Sequence, residues 1–153
     1  MTIHIKSSKM ADTRSCDWSS VTKEQLYRQS KQHIEDVKKA LDFFSQMLTV
    51  AGKLHDHTKV SEIDSFHQDF RNGFETVDWY NMHKKVERHH LEVPEGVRDD
   101  VNLIDVLEHV ADGVMAGLGR SGEVRASKIT DETLRKALDN TTELLAKMVV
   151  VGK

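Results

Sequence analysis

Histidine and aspartate recur in this sequence in an arrangement that could bind a metal ion. The adjacent pair His55-Asp56 is preceded by His33 and followed by Asp112, which lies in the apolar segment HVADGVMAG. A lone aspartate in an apolar helix is costly unless a cation compensates its charge. Imidazole nitrogens and carboxylate oxygens suit divalent manganese, iron, cobalt, nickel or zinc. We therefore predict a metal site formed by His33, His55, Asp56 and Asp112.

Three more histidines, His83, His89 and His90, lie in the segment NMHKKVERHH between the His-Asp pair and Asp112. They could bind a second metal ion or contact a substrate. They could equally be surface histidines of an amphipathic helix, which are common. We therefore expect one ion per chain, with a second ion as the alternative.

Basic residues near these motifs could bind an anionic substrate. Lys59 follows the His-Asp pair closely and could hold a phosphate oxygen as a point charge. Lys84 and Arg88 are one helical turn apart, and Arg120 follows the segment that carries Asp112. We predict that these four residues bind substrate, although a solvated charged face is the simpler interpretation of Lys84 and Arg88.

Helical spacing of apolar residues predicts the elements that position these side chains. Thr22 and Gln25 form a predicted capping box at the start of a helix that ends at Gly52. A loop then carries residues 53–59. The further predicted helices are about 61–71, 78–90, 101–118 and one that starts near 130–131.

The predicted fold is all-α, with a single compact domain of about five helices over residues 21–153. Residues 1–20 are polar and irregular, with a possible short strand at Thr2–Lys6. The segment 101–118 is apolar on most sides, so we expect it at the centre of the fold.

Composition limits the classes of partner. Apolar residues make up 38% and charged residues 31% of the chain, which fits a globular protein. A net charge of -3 gives no strong signal for nucleic acid, and no run is long enough to suggest a membrane span. Cys16 is the only cysteine, so no internal disulfide can form, and we expect a reducing cytoplasm.

The order of these motifs resembles the HD-domain superfamily of metal-dependent phosphohydrolases. HIEDV is similar to the first-histidine motif, KLHDHTK to the HD signature, and VADGVMAGLGR to the helix of the last aspartate, over roughly residues 30–125. Small phage and bacterial members look most similar, so the host cytoplasm is expected if the chain is phage-encoded. The resemblance implies an HD-type helical domain in which Asp56 bridges two metals when two are present.

The resemblance also implies a reaction. We expect hydrolysis of a small phosphate ester, a nucleotide or deoxynucleotide 5′-monophosphate, with Asp56 and Lys59 as catalytic residues. One alternative is a phosphodiesterase or nucleoside triphosphate hydrolase on the same metal site. Another is a non-catalytic module that binds a nucleotide or a host protein. Fold-level analogy alone does not choose among these.

Overall fold

The computed structural model describes residues 2–8, 10, 14–76 and 78–152 of the chain. Within those residues the chain is mostly helical and has six helices and four short strands. The helices are α1 (Lys23–Leu54), α2 (His57–Ser61), α3 (Ile63–Arg71), α4 (Asp78–Val86), α5 (Leu103–Ser121) and α6 (Asp131–Met148). The strands are β1 (Ile3–Lys6), β2 (Glu92–Val93), β3 (Gly96–Val97) and β4 (Val149–Gly152). The predicted mainly helical class is confirmed, and the short helix α2 adds to the expected number.

The chain divides into two units, residues 1–46 with 143–153 and residues 47–142. In the first unit β1 pairs in parallel with β4, with Ile3 opposite Val149. The short N-terminal strand predicted from the sequence is therefore present.

The predicted capping box at the start of α1 is also present in the first unit. The Thr22 backbone N–H donates to Gln25 Oε1 at 2.9 Å, and the Gln25 N–H donates to Thr22 Oγ1 at 3.2 Å. These bonds satisfy two N–H groups that a helix start leaves without partners. The start of α6 likewise falls where the sequence predicts it.

The second unit has a small apolar core to which α5 and α6 contribute. Its buried members are Leu91, Val101, Val106 and Ala137. A capping box fixes the start of α5: Asn102 Oδ1 accepts from the Ile104 N–H at 2.9 Å, and Asp105 Oδ2 accepts from the Asn102 N–H at 2.9 Å. Glu108 and Asp112 follow Asp105 by three and seven residues, so the three carboxylates lie on the same side of α5.

Helix α5 is less enclosed than its composition predicts. Ile104, Asp105, Val106 and Gly117 are its buried residues, whereas Leu107 and Met115 are exposed, the latter by 70%. The expectation that this helix lies at the centre of the fold is therefore wrong for the side of α5 that carries Leu107 and Met115. Apolar composition shows what a helix could bury, but not which of its faces another element covers.

Among the residues that the structure describes, no helix combines the length and the apolar character that crossing a bilayer requires.

Candidate metal centre

The His-Asp pair lies at a sharp turn between α1 and α2. Helix α1 continues past Gly52, where the sequence predicted its end, and stops at Leu54. Asp56 has a φ of 55° and a ψ of 21°, a left-handed conformation that is uncommon for residues other than glycine. The Lys59 N–H donates to the Asp56 carbonyl at 2.9 Å and starts α2. Unusual backbone of this kind persists where surrounding contacts enforce it, often at functional sites.

Three imidazole rings converge on the Asp56 carboxylate. Nε2 of His55 lies 3.5 Å from Asp56 Oδ2. Nε2 of His83 lies 3.5 Å from Asp56 Oδ1, and Nε2 of His89 lies 3.6 Å from the same oxygen. The His83 and His89 residues are only 1% and 2% exposed. Among the residues that the structure describes, two groups could each hold a metal ion, with ligand atoms within 4.8 Å of one another: His55, Asp56 and His89, and His83, His89 and His90.

Hydrogen bonds to the other ring nitrogens orient two of these imidazoles. His55 Nδ1 lies 2.9 Å from Glu108 Oε1 and must donate, because an ionised carboxylate only accepts. In the neutral ring the lone pair of His55 is therefore on Nε2, the atom that faces Asp56. Histidines that bind metals are commonly held in this way by a carboxylate behind the ring.

A similar bond network fixes His83. The Thr58 hydroxyl donates to Glu87 Oε1 at 2.6 Å, which uses its single proton. Thr58 Oγ1 therefore accepts from His83 Nδ1, 2.7 Å away, and the ring lone pair lies on Nε2. The Trp79 ring stacks on the face of the His83 ring, with ring centroids 4.7 Å apart. Together these contacts aim His83 Nε2 at Asp56.

The site leaves several buried polar atoms without hydrogen-bond partners. These atoms are Asp56 Oδ1, His89 Nδ1 and His90 Nε2, within the part of the chain that the structure describes. His89 Nδ1 lies 3.3 Å from Glu108 Oε1, so it has an electrostatic neighbour without hydrogen-bond geometry. Unsatisfied buried polar atoms are costly, and a cation would compensate the carboxylate oxygen and the imidazole lone pair directly. The residues present therefore fit a metal ion.

Burial disfavours the charged form of three imidazoles in the cluster, those of His83, His89 and His90. It lowers the pKa of His83 and of His89, and lowers that of His90 to about 3. For Asp56, burial acts to raise the pKa, but the hydrogen bond and charge of Lys59 outweigh this, and the pKa lies below its ordinary value. Neutral imidazoles next to an ionised carboxylate are the protonation states that a metal ion requires.

Acid is expected to destabilise the metal-free protein in a specific pH range. His90 titrates near 6.5 when unfolded and near 3 when folded, so between these values the unfolded state binds more protons. The free energy of unfolding should fall as the pH falls through that range. Urea titrations of the chelator-treated protein at several pH values measure it. His90→Gln should flatten the dependence; an equally steep dependence in this variant would count against the burial of a neutral His90.

The structure brings together most of the residues that the sequence singled out. Five of them belong to at least one of the two ligand groups: His55, Asp56, His83, His89 and His90. Asp112 Oδ1 lies 3.6 Å from His55 Nε2, so it lies at the edge of the cluster. Its side chain is 37% exposed, however, and the expectation of a buried carboxylate at Asp112 is wrong. The carboxylate buried on α5 is Asp105, two turns earlier.

His33 does not join the cluster. It lies on α1 in the first unit, about six turns before that helix ends at Leu54. Neither group of candidate ligands includes it. The physical reason is the continuity of α1: the chain from His33 to Leu54 is one helix, rather than two elements that fold back on each other.

The predicted substrate-binding cations differ in their surroundings. Lys59 Nζ donates to Asp56 Oδ2 inside the site. Arg88 makes four hydrogen bonds to Asp100 and Asp105, which does not fit the predicted role in substrate binding. Lys84 Nζ lies 4.8 Å from the centre of the Tyr80 ring, and Arg120 is exposed in the last turn of α5. Of the four, Lys59 is the one that contacts a candidate ligand.

Sequence reasoning missed the residues that orient the rings. These residues are Glu108 behind His55, and Thr58 with Glu87 behind His83. A weak signal existed, because Thr58 follows the His-Asp pair and Glu87 lies four residues after His83. Such residue types are too common for the spacing alone to identify them.

Comparison with protein-family models, with curated proteins and with solved structures gave no match. What the chain's own geometry establishes is a mainly helical protein with a buried His/Asp cluster able to hold a metal ion.

Proposed function

We propose that the chain is an HD-type metal-dependent phosphohydrolase that acts on a small phosphate ester. The observation that carries the proposal is the convergence of three Nε2 atoms, from His55, His83 and His89, on the Asp56 carboxylate. The adjacent pair His55-Asp56 at such a centre, with Asp112 3.6 Å from His55, supports the HD and last-aspartate parts of the motif order, but His33 does not contribute to the centre.

The proposed cofactor is one divalent transition ion, held by His55, Asp56 and His89 with Asp112 beside them. The mixture of imidazole and carboxylate suits manganese, iron, cobalt, nickel or zinc. When bound, such an ion acidifies a water molecule and neutralises charge on phosphate oxygens. A second ion at His83, His89 and His90 is the alternative, although both groups draw on His89.

The chain's own residues have separate proposed roles. Asp56 has a left-handed backbone at the turn between α1 and α2, and this turn orients its carboxylate in the centre. Glu108 holds the His55 ring and Thr58 holds the His83 ring, each through the Nδ1 atom. Lys59 contacts Asp56, and its ammonium group is flexible enough to turn to a phosphate oxygen of a bound ester. The proposed location is the cytoplasm, on the ground that the single cysteine allows no internal disulfide.

The proposal is tested by phosphate release from a panel of nucleoside 5′-monophosphates and simple phosphate monoesters, with added manganese, cobalt, nickel or zinc. We expect metal-dependent release that falls by at least about 100-fold in Asp56→Asn. Asp64→Asn, on the exposed side of α3, is the matched control and should retain activity.

The same assay separates the competing functions. Turnover of phosphodiesters or of nucleoside triphosphates, but not of monoesters, would show that the chain has one of those activities and not that of a phosphomonoesterase. Metal binding without turnover of any phosphate ester would contradict the enzyme and support a binding module.

A further inference from the structure

A groove of about 320 Å³ opens beside the cluster, between the end of α1 and α5 in the second unit. Its walls are mostly apolar. The lining residues are Leu48, Ala51, Gly52, His55, Leu107, Glu108, Ala111, Asp112 and Met115.

The groove is continuous with the candidate metal centre. His55 and Asp112 line the groove, and Nε2 of His55 also faces Asp56 and the Oδ1 atom of Asp112. A phosphate held at that end would therefore direct the organic part of its ester along the apolar walls. Half-exposed Leu107 and largely exposed Met115 form an apolar surface there that water contacts in the free protein.

The groove's chemistry selects among phosphate esters. Its polar lining residues, His55, Glu108 and Asp112, lie at the cluster end, and the other lining residues that the structure describes are leucine, alanine, glycine and methionine. No lysine or arginine is among the lining residues that the structure describes. A chain of further phosphates would thus meet no compensating cation, and a polyhydroxylated group would lose hydrogen bonds to water. An alkyl or aryl group would instead lose only unfavourable contact with water.

We propose that this groove binds the apolar alkyl or aryl portion of a phosphate monoester. The inference rests on the proposed function for the position of the phosphate, and it narrows the substrate class. A nucleotide would fit this groove only if the face of its base occupied it in place of the alkyl or aryl group.

Binding of phosphonates tests the groove without requiring hydrolysis. We expect hexylphosphonate to bind the manganese-supplemented full chain at least about tenfold more tightly than methylphosphonate, in titration calorimetry. Leu107→Gln should weaken hexylphosphonate binding by about tenfold and leave methylphosphonate unchanged. Leu118→Gln is the matched control, because Leu118 lies on the same helix with similar exposure but outside the groove lining.

Equal affinities of the two phosphonates, or equal effects of the two leucine variants, would overturn the inference. A stable dimer that Leu107→Gln dissociates would also overturn it, since a second copy would then cover the groove. Phosphate release from hexyl phosphate and glycerol phosphate is measured separately. Selective phosphonate binding without any phosphate release would contradict the proposed function. It would still support the preference of the groove for an alkyl or aryl group.

Discussion

Replacing His89 with glutamine is expected to reduce metal affinity by more than about 100-fold. Replacing a residue that merely supports a metal ligand typically costs about 10–100-fold, and loss of a ligand should exceed that range. His89 belongs to both candidate ligand groups, is 2% exposed, and directs Nε2 toward Asp56 at 3.6 Å. The substitution should therefore weaken metal binding whether the chain holds one ion or two. Competition of cobalt or zinc against a chromophoric chelator measures the affinity.

The matched control is His67→Gln, the same substitution at an exposed position on α3. This variant should bind metal like the unmodified chain. Circular dichroism of both variants separates a loss of ligand from a loss of fold. A folded His89→Gln protein with unchanged affinity would show that the ion, if bound, lies elsewhere.

Replacing Arg88 with methionine is expected to lower the free energy of unfolding by about 3 kcal/mol, because it leaves a buried carboxylate without its cation. Arg88 Nε and Nη2 donate to the two carboxylate oxygens of Asp105, each at 2.8 Å, and Asp105 is 2% exposed. Arg88 also bonds the side chain and carbonyl of Asp100 at 2.7 and 2.9 Å. Urea denaturation of the metal-free protein measures the change.

A surface ion pair provides the comparison. Lys136 Nζ lies 2.7 Å from Asp99 Oδ1, but that aspartate is fully exposed. Lys136→Met should therefore cost less than about 1 kcal/mol. If Arg88→Met costs no more than Lys136→Met, the Arg88–Asp105 pair contributes no more to stability than an exposed ion pair does.

Local signals in the sequence predicted much of the secondary structure. The capping box of Thr22 and Gln25 and the start of α6 depend on residues within one helical turn. Gly52, by contrast, did not end α1, because an exposed glycine is tolerated within a helix when later residues continue it.

The candidate ligands could be identified by residue type, but their grouping depends on the turns between them. Helix α4 ends at Val86, four residues earlier than the sequence suggested, and the chain turns so that the His90 N–H donates to the Glu87 carbonyl at 3.3 Å. This turn brings His89 and His90 back beside His83. Helical spacing alone would have spread these histidines around one helix.

Burial was the least predictable property of the site. Asp112 lies in an apolar segment but is partly exposed, while Asp105 in the same helix is buried against Arg88. Which face of a helix is covered depends on tertiary neighbours that the spacing within that helix does not specify.

Metal content of the purified chain tests the central claim most directly. Elemental analysis after reconstitution with manganese, cobalt, nickel or zinc and removal of excess ion should find at least one tightly held ion per folded chain. The Asp56→Asn protein, prepared in parallel, should hold much less. A folded, unmodified chain that retains none of these ions would contradict the assignment of this histidine–aspartate cluster as a metal centre.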